Sequence, residues 1–275
     1  MRKVALLIIA VIILGLVGCS GKNTVKTNDS KDVYTKAEIT SKLSGNWANE
    51  QYMNNLKLMK SPYKSICDVP WLNIHNEKNA TMLDEYLNFH EGGTGGNITD
   101  ITSSTDKNSY AIKVKDYFTG SALHFNRSII ITQNDSKINC IVYTDQQNKE
   151  KYRFLKIETS PEVYANEVVL AGKYKDTKGK EYTFTNSEKA IWPNETFNYR
   201  IQLDFIGEPT FIRPNGSFYN DDYFMKTDNR GVNVSNFVYY YKIKGNQLSV
   251  FKAYEKKGTP LYEIKAVPDL LLTKE

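Results

Sequence analysis

The sequence has no apolar segment long enough to cross a membrane as a helix. Its longest apolar run, from Val4 to Val17, has fourteen residues. As a helix this run would extend about 21 Å, whereas the hydrocarbon core of a bilayer is about 30 Å thick. Arg2 and Lys3 precede the run, as basic residues precede the apolar part of a signal peptide. The segment therefore predicts a signal peptide rather than a membrane-spanning helix.

Runs of like charge are also absent, because no five consecutive residues carry the same sign. The formal net charge is +5, from 36 basic and 31 acidic residues, and two of the positive charges belong to the predicted leader. Such a balance is typical of a mixed, solvated surface. It gives no support for a nucleic-acid partner, and we expect none.

Signatures of catalysis and of cofactor binding are missing as well. The sequence contains no G-x-S-x-G elbow, no H-E-x-x-H pair and no phosphate-binding loop. Its three histidines, His75, His90 and His124, do not have the spacing of a metal-binding pair. We therefore expect a protein that is not an enzyme, without a cofactor and without a metal site.

Cysteine is scarce, with three copies, and the first one follows the apolar run directly. The segment Leu16-Val17-Gly18-Cys19 resembles the lipobox of bacterial lipoproteins at all four positions. This resemblance implies cleavage before Cys19 and attachment of a lipid to its sulfur. More than one acyl chain holds a protein stably on a membrane. The predicted partner of Cys19 is therefore the membrane itself.

The resemblance also implies where the protein works. A bacterial lipoprotein lies in the cell envelope, outside the cytoplasm, and Ser20 after the modified cysteine implies the outer membrane if the envelope is Gram-negative. Residues 1–18 are then the signal peptide. The polar residues that follow Cys19 predict that residues 19–34 are the acylated cysteine with a flexible tether.

Tyrosine and phenylalanine are numerous, with 19 and 12 copies, which favours β structure. Apolar and polar residues alternate as on strands with one buried face in YAIKVK, SIIITQ, INCIVYT, YRFLKIE, EYTFT and FNYRIQLDF. In FVYYYKIKGNQLSVFKAY, Gly245-Asn246 predicts a hairpin with a type II′ turn. These patterns predict an all-β fold of antiparallel meanders, with short helices at the joins.

Two short helices are expected in the first half. Thr35 and Glu38 have the spacing of a capping box, which predicts a helix that ends near Lys42. A second helix would place Tyr52, Met53, Leu56 and Met59 on one face. That face would pack in the core or act as the lid of a barrel.

The segment Leu43-Ser44-Gly45-Asn46-Trp47 resembles the G-x-W motif that opens the first strand of lipocalins and related calycin barrels. A five-residue echo, Leu170-Ala171-Gly172-Lys173-Tyr174, has tyrosine in place of the tryptophan. The resemblance implies two calycin-like β units, residues 35–159 and 160–275. A single larger barrel, closed or flattened, is the alternative.

A ligand site is predicted inside the second unit. Alternate residues of a small barrel face its interior, where an eight-stranded barrel can hold one small ligand. The predicted ligand-binding residues are Tyr199, Ile201, Leu203, Tyr239 and Tyr241. Tyrosine offers a ring and a hydroxyl to a small apolar or amphipathic ligand. Alternatively these residues fill the core, and the chain is a protein-interaction or assembly lipoprotein with a protein partner.

The remaining cysteines, Cys67 and Cys140, are an even pair in a compartment that allows disulfides. A disulfide between them is one prediction, and two buried thiols are the other.

Overall fold

The structure, a computed structural model, describes residues 35–67, 69–77, 80–86, 94–103, 109–116, 127–134, 137–145, 150–203, 210–212, 218–219, 222–257, 259 and 261–275.

Capping determines where the first helix starts. Helix α1 is Lys36–Leu43. The Glu38 amide donates to the Thr35 hydroxyl at 3.3 Å, and the Thr35 amide donates to the Glu38 carboxylate at 2.7 Å. The predicted capping box is confirmed.

Three more helices lie at the joins between strands. They are α2 (Glu50–Met59), α3 (Pro62–Ser65) and α4 (Pro161–Val169). Proline is the first residue of both α3 and α4, where its missing N–H costs nothing. In the part of the chain that the structure describes, no helix is both long and apolar enough to cross a membrane.

The first half of the chain forms a closed ring of antiparallel strands in sequential order. Its strands are β1 (Gly45–Asn49), β2 (Trp71–Glu77), β3 (Ala80–Tyr86), β4 (Thr94–Ser103), β5 (Ser109–Asp116), β6 (Arg127–Asn134), β7 (Lys137–Asp145) and β8 (Glu150–Ile157). The ring closes because β8 pairs with β1. This up-and-down order of eight strands is that of lipocalin-type barrels.

The second half contributes eleven strands. They are β9 (Gly172–Asp176), β10 (Glu181–Phe184), β11 (Lys189–Trp192), β12 (Glu195–Ile201), β13 (Thr210–Ile212), β14 (Phe218–Tyr219), β15 (Tyr223–Thr227), β16 (Asn233–Lys244), β17 (Gln247–Glu255), β18 (Leu261–Glu263) and β19 (Leu270–Lys274). Strand β19 pairs with both β9 and β17, so β9–β12, β15–β17 and β19 close a second ring.

The other three strands extend from β17 as a side sheet in the order β18, β13, β14. The pair formed by β13 and β18 is parallel; every other described pair is antiparallel. The predicted all-β fold of antiparallel meanders is thus confirmed. The β16–β17 hairpin also turns as predicted, because Gly245 has a φ of +61° while Asn246 stays out of the left-handed region.

Both rings begin in the same way. Trp47 Nε1 donates to the Leu43 carbonyl at 2.7 Å, and in the second ring the Tyr174 hydroxyl donates to the Leu170 carbonyl at 2.7 Å. Each aromatic residue therefore bonds the carbonyl four residues before it, at the end of the preceding helical segment. The Leu-x-Gly-x-aromatic echo thus corresponds to the same local structure in the two rings.

A lysine from the last strand crosses the glycine of each echo. Lys156 would lie 3.1 Å from a Cβ at Gly45, and Lys274 would lie 2.6 Å from a Cβ at Gly172. Their ammonium groups donate to backbone carbonyls at 3.2 and 2.7 Å. Both glycines have positive φ, +128° and +147°. The backbone conformation therefore requires glycine at both positions, whereas the lysine side chains could move aside.

The two rings share a helix. In α2, Tyr52 and Leu56 are fully buried in the core of the second ring, although the helix follows the first strand of the first ring. Met53 contacts Trp71 on the outer face of the first ring. Met59, predicted on the same buried face, is 43% exposed because the helix ends there and Lys60 adopts a left-handed conformation. The helix therefore packs in the core of the second ring.

Residues 34–275 are accordingly one compact unit by their contacts. The predicted boundary near residue 160 falls at α4, between the two rings. That residues 35–159 and 160–275 each fold alone stays a prediction. The packing of α2 argues against it for the second unit, whose core depends on a helix of the first.

Candidate functional site

The second ring brings together all five residues that the sequence predicts as ligand-binding. Tyr199, Ile201, Leu203, Tyr239 and Tyr241 belong to one core, and each side chain is at most 6% exposed. Their period-two spacing, along β12 and its continuation to Leu203 and along β16, points them inward, as expected. They are packed against other side chains of the chain, so this part of the interior is filled.

Aromatic rings fill the core around these residues. The Phe184 ring meets the rings of Tyr199 and Phe224 edge to face, with centroids 5.5 and 5.9 Å apart. Phe224 and Tyr239 stack at 5.0 Å with an interplanar angle of 14°. Edge-to-face and offset contacts of this kind add to the burial energy. A ligand could enter this layer only by displacing well-packed rings.

One end of the second ring is sealed by helices and by a buried polar network. The Tyr199 hydroxyl donates a short hydrogen bond to Asn166 Oδ1, and Asn166 is completely buried in α4. The Asn166 amide donates to the carbonyls of Thr185 and Asn186 at 2.9 and 3.3 Å. We call this the closed end; Tyr52 and Leu56 of α2 also lie in this core.

Glu188 lies in the β10–β11 turn beside this network. Its φ is +56°, and its carbonyl accepts from the Tyr199 amide at 2.8 Å. Burial raises the pKa of the Glu188 carboxyl to about 7, an effect that the nearby Arg200 guanidinium opposes. Among the described residues its Oε1 has no hydrogen-bond partner. Glu188 is therefore a half-buried acid in a strained turn.

Aromatic residues surround the other end of the second ring. We call it the mouth and define it by Trp192, Phe197, Lys226, Phe237 and Tyr254. Trp192 and Phe197 meet edge to face at 4.9 Å. Phe237 and Tyr254 are 36% and 45% exposed. The mouth therefore presents aromatic surface to the solvent.

Lys226 is held inside the mouth. Its ammonium lies 4.1 Å from the centroid of the Phe197 ring and 4.8 Å from that of Phe237. It also forms an ion pair of 2.5 Å with Glu195. Only 14% of the Lys226 side chain is exposed, so the cation–π contacts are partly desolvated, which strengthens them.

Two more lysines reach the solvent-exposed edge of the mouth, which we call the rim. The Lys252 ammonium lies 5.6 Å from the Phe237 centroid and 5.5 Å from that of Tyr254. Lys265 also lies over Tyr254, and it pairs with Asp269 at 2.9 Å. Among the described residues, no carboxylate forms an ion pair with Lys252. The rim thus combines exposed rings with a cation that can accept an external anion.

Of the five predicted residues, Tyr239 alone reaches this mouth, where it contacts Trp192 and Phe197. Lys226 is not among the predicted residues, although the sequence carries a signal for it. Lys226 is two residues after the inward-facing Phe224 on β15, so period two places it on the inner face. A lysine at such a position, near the end of a strand, marks a rim.

The predicted disulfide is not formed. Cys140 is buried on β7 of the first ring, whereas Cys67 packs against the core of the second ring. His75 lies on the outer face of β2, 3.5 Å from Asp84, while His90 and His124 lie outside the described residues. Within the described part of the chain, no group of three or more potential ligands could hold a metal ion.

No family model, no curated protein and no solved structure matches the chain significantly.

Proposed function

We propose that this chain is a lipid-anchored protein of the bacterial envelope that binds a partner protein through the mouth of its second ring. The observation that carries the proposal is the contrast between a filled interior and an exposed aromatic and cationic rim. Exposed apolar groups that cluster with cations are typical of protein-interaction sites.

The anchoring part of the proposal rests on the lipobox Leu16-Val17-Gly18-Cys19. Residues 1–34 lie outside the described part of the chain, so the support comes from the sequence alone. A lipid on Cys19 would keep the folded unit at a membrane surface. A partner in the same envelope would then meet the mouth at a raised effective concentration.

The chemistry of the rim suits a protein partner. Phe237 and Tyr254 offer flat surfaces that bury easily, and aromatic residues of this kind are frequent in interface hot spots. Lys252 supplies a cation without a described carboxylate partner. A complementary partner segment would therefore combine apolar side chains with an acidic residue.

A small amphipathic ligand is the second candidate, and Lys226 favours it. Its ammonium lies among aromatic rings and is paired with Glu195. A ligand carboxylate could replace Glu195 and place its apolar part on the Trp192 and Phe197 rings. Such a ligand would be held at the mouth and not in the filled layer below.

The test is site-specific photocrosslinking in the native host. A photoreactive phenylalanine analogue at position 237 should give one discrete protein adduct, and the same analogue at the exposed Ala111 on the first ring should not. Tyr254→Ala and Lys252→Gln should each weaken the adduct at position 237. Absence of any adduct, combined with a bound small molecule in native mass spectrometry of the purified chain, would favour the second candidate.

A further inference from the structure

The corner between α2 and α3 exposes large apolar side chains to the solvent. We call residues 57–64 the basic corner; its sequence is KLMKSPYK. Leu58 is 80% exposed, the highest value for a large apolar residue in the described part of the chain. Met59 and Tyr63 are 43% and 37% exposed. Three exposed apolar groups thus lie within six residues of the chain.

The position of Leu58 in its helix makes this exposure informative. Helix α2 buries Tyr52, Met53 and Leu56, so the packed face is already complete. An amphipathic helix places polar residues on the opposite face, and Leu58 stands there instead. Packing against the residues that the structure describes does not account for it.

The charged residues of the corner are all basic, namely Lys57, Lys60 and Lys64. A neighbouring carboxylate, Asp222, accepts from the Tyr63 amide at 2.9 Å and is itself only 5% exposed. Lys57 and Lys64 are exposed, and no described carboxylate forms an ion pair with either. The Lys60 ammonium donates to the Val168 carbonyl at 2.8 Å.

We propose that the basic corner is a contact site for the anionic surface of a lipid bilayer. Lys57 and Lys64 would bind headgroup phosphates, and Leu58 and Met59 would enter the boundary between headgroups and acyl chains. Lysine combined with exposed apolar side chains is the composition that interfacial binding requires. Each lysine near an anionic surface strengthens binding about fivefold.

A bilayer fits better than a soluble partner because of the distance from the anchor. This step rests on the proposed lipid at Cys19. Cys19 is sixteen residues before Thr35, and so many residues span at most about 55 Å when fully extended. The folded unit therefore stays close to the lipid headgroups. A weak interaction is then enough to hold the basic corner against the bilayer.

The contact would also set an orientation. The basic corner lies at the closed end of the second ring, since Lys60 binds the C-terminal residues of α4. The mouth is at the opposite end, where the β9–β10 turn also lies. Seating the corner on the bilayer therefore turns the mouth toward the space beyond the membrane.

The test uses the full acylated chain in vesicles, with an environment-sensitive fluorophore on Leu58→Cys in a Cys67→Ser background. Vesicles are made of phosphatidylcholine alone or with about a third of phosphatidylglycerol. We expect a blue shift at position 58 on the anionic vesicles and none on the neutral ones. The same fluorophore on Lys178→Cys, in the β9–β10 turn, should not shift on either.

Lys57→Gln with Lys64→Gln should reduce the shifted fraction about 25-fold at limiting anionic lipid, from about fivefold per lysine. Lys178→Gln with Lys180→Gln removes the same charge at the other end and should have no effect. An unshifted probe, an equal shift on neutral vesicles, or a shift without lipid at raised protein concentration would each overturn the proposal. Flotation is measured in parallel: a chain that fails to float refutes the anchor, whereas one that floats with an unshifted probe refutes the corner alone.

Discussion

Glu188 should make the stability of the folded unit depend on pH in a direction opposite to that of most carboxylates. Burial raises the pKa of this carboxyl to about 7, from 4.5 in the unfolded chain. The folded state therefore holds its proton to higher pH than the unfolded state does. The stabilisation is fully present below pH 4.5 and is lost as pH rises to about 7.

The size of the effect follows from the shift and the exposure. A pKa shift of this size corresponds to a change of about 3 kcal/mol in the free energy of unfolding. Because the Glu188 carboxyl is partly exposed, we expect about 1–2 kcal/mol. Glu188→Gln keeps the shape and removes the ionisation. At pH 8 the variant should be more stable than the wild type by about 1–2 kcal/mol, whereas at pH 4.5 the two should be alike.

The measurement is urea denaturation of residues 34–275 at several pH values, followed by circular dichroism. Burial also raises the pKa of Asp84, which gives the wild type a second contribution of the same sign. The difference between wild type and Glu188→Gln isolates the Glu188 contribution. Glu181→Gln, at an exposed position on β10, is the matched control. Parallel pH profiles for the wild type and Glu188→Gln would refute the reasoning.

Three further predictions concern anchoring and the core. Cys19→Ala should abolish labelling by a palmitate analogue, and label retained on the variant would place the lipid elsewhere. Tyr199→Phe leaves the buried Asn166 Oδ1 without its donor, so the free energy of unfolding should fall by about 1–3 kcal/mol; an unchanged urea midpoint would contradict the closed-end network. Leu56→Ala should lower the free energy of unfolding by about 2–5 kcal/mol. It should also increase amide hydrogen exchange in the second ring, although Leu56 precedes that ring by more than one hundred residues. Increased exchange confined to the first ring would show that α2 does not belong to the second core.

Strand positions could be predicted from the sequence because burial on one face of a strand gives strict alternation. FNYRIQLDF shows this well, since Tyr199 and Ile201 are buried while Arg200 between them is partly exposed; Phe205 lies outside the described residues. Local chemistry was also sufficient at Thr35 and at Gly245, because a cap and a two-residue turn depend on neighbours in sequence.

Contacts between distant segments could not be predicted in this way. The apolar face of α2 says that Tyr52 and Leu56 are buried, but not in which ring. The contacts of Lys226 with the surrounding aromatic rings depend on the register of β12, β15 and β16. No short sequence pattern specifies that register. The pairing of Cys67 with Cys140 was open for the same reason, because sequence spacing does not determine a distance in space.

The lysines that cross Gly45 and Gly172 bear on how the rings form. Neighbouring strands are joined mostly by hairpins, so most pairings arise between segments close in sequence. The bonds from Lys156 to Lys42 and from Lys274 to Ala171 span 114 and 103 residues. Contacts of such separation carry the largest loss of chain entropy and form late. We therefore expect the two ends of each ring to meet last, and the lysine that crosses the glycine to be one of the contacts formed when the sheet closes.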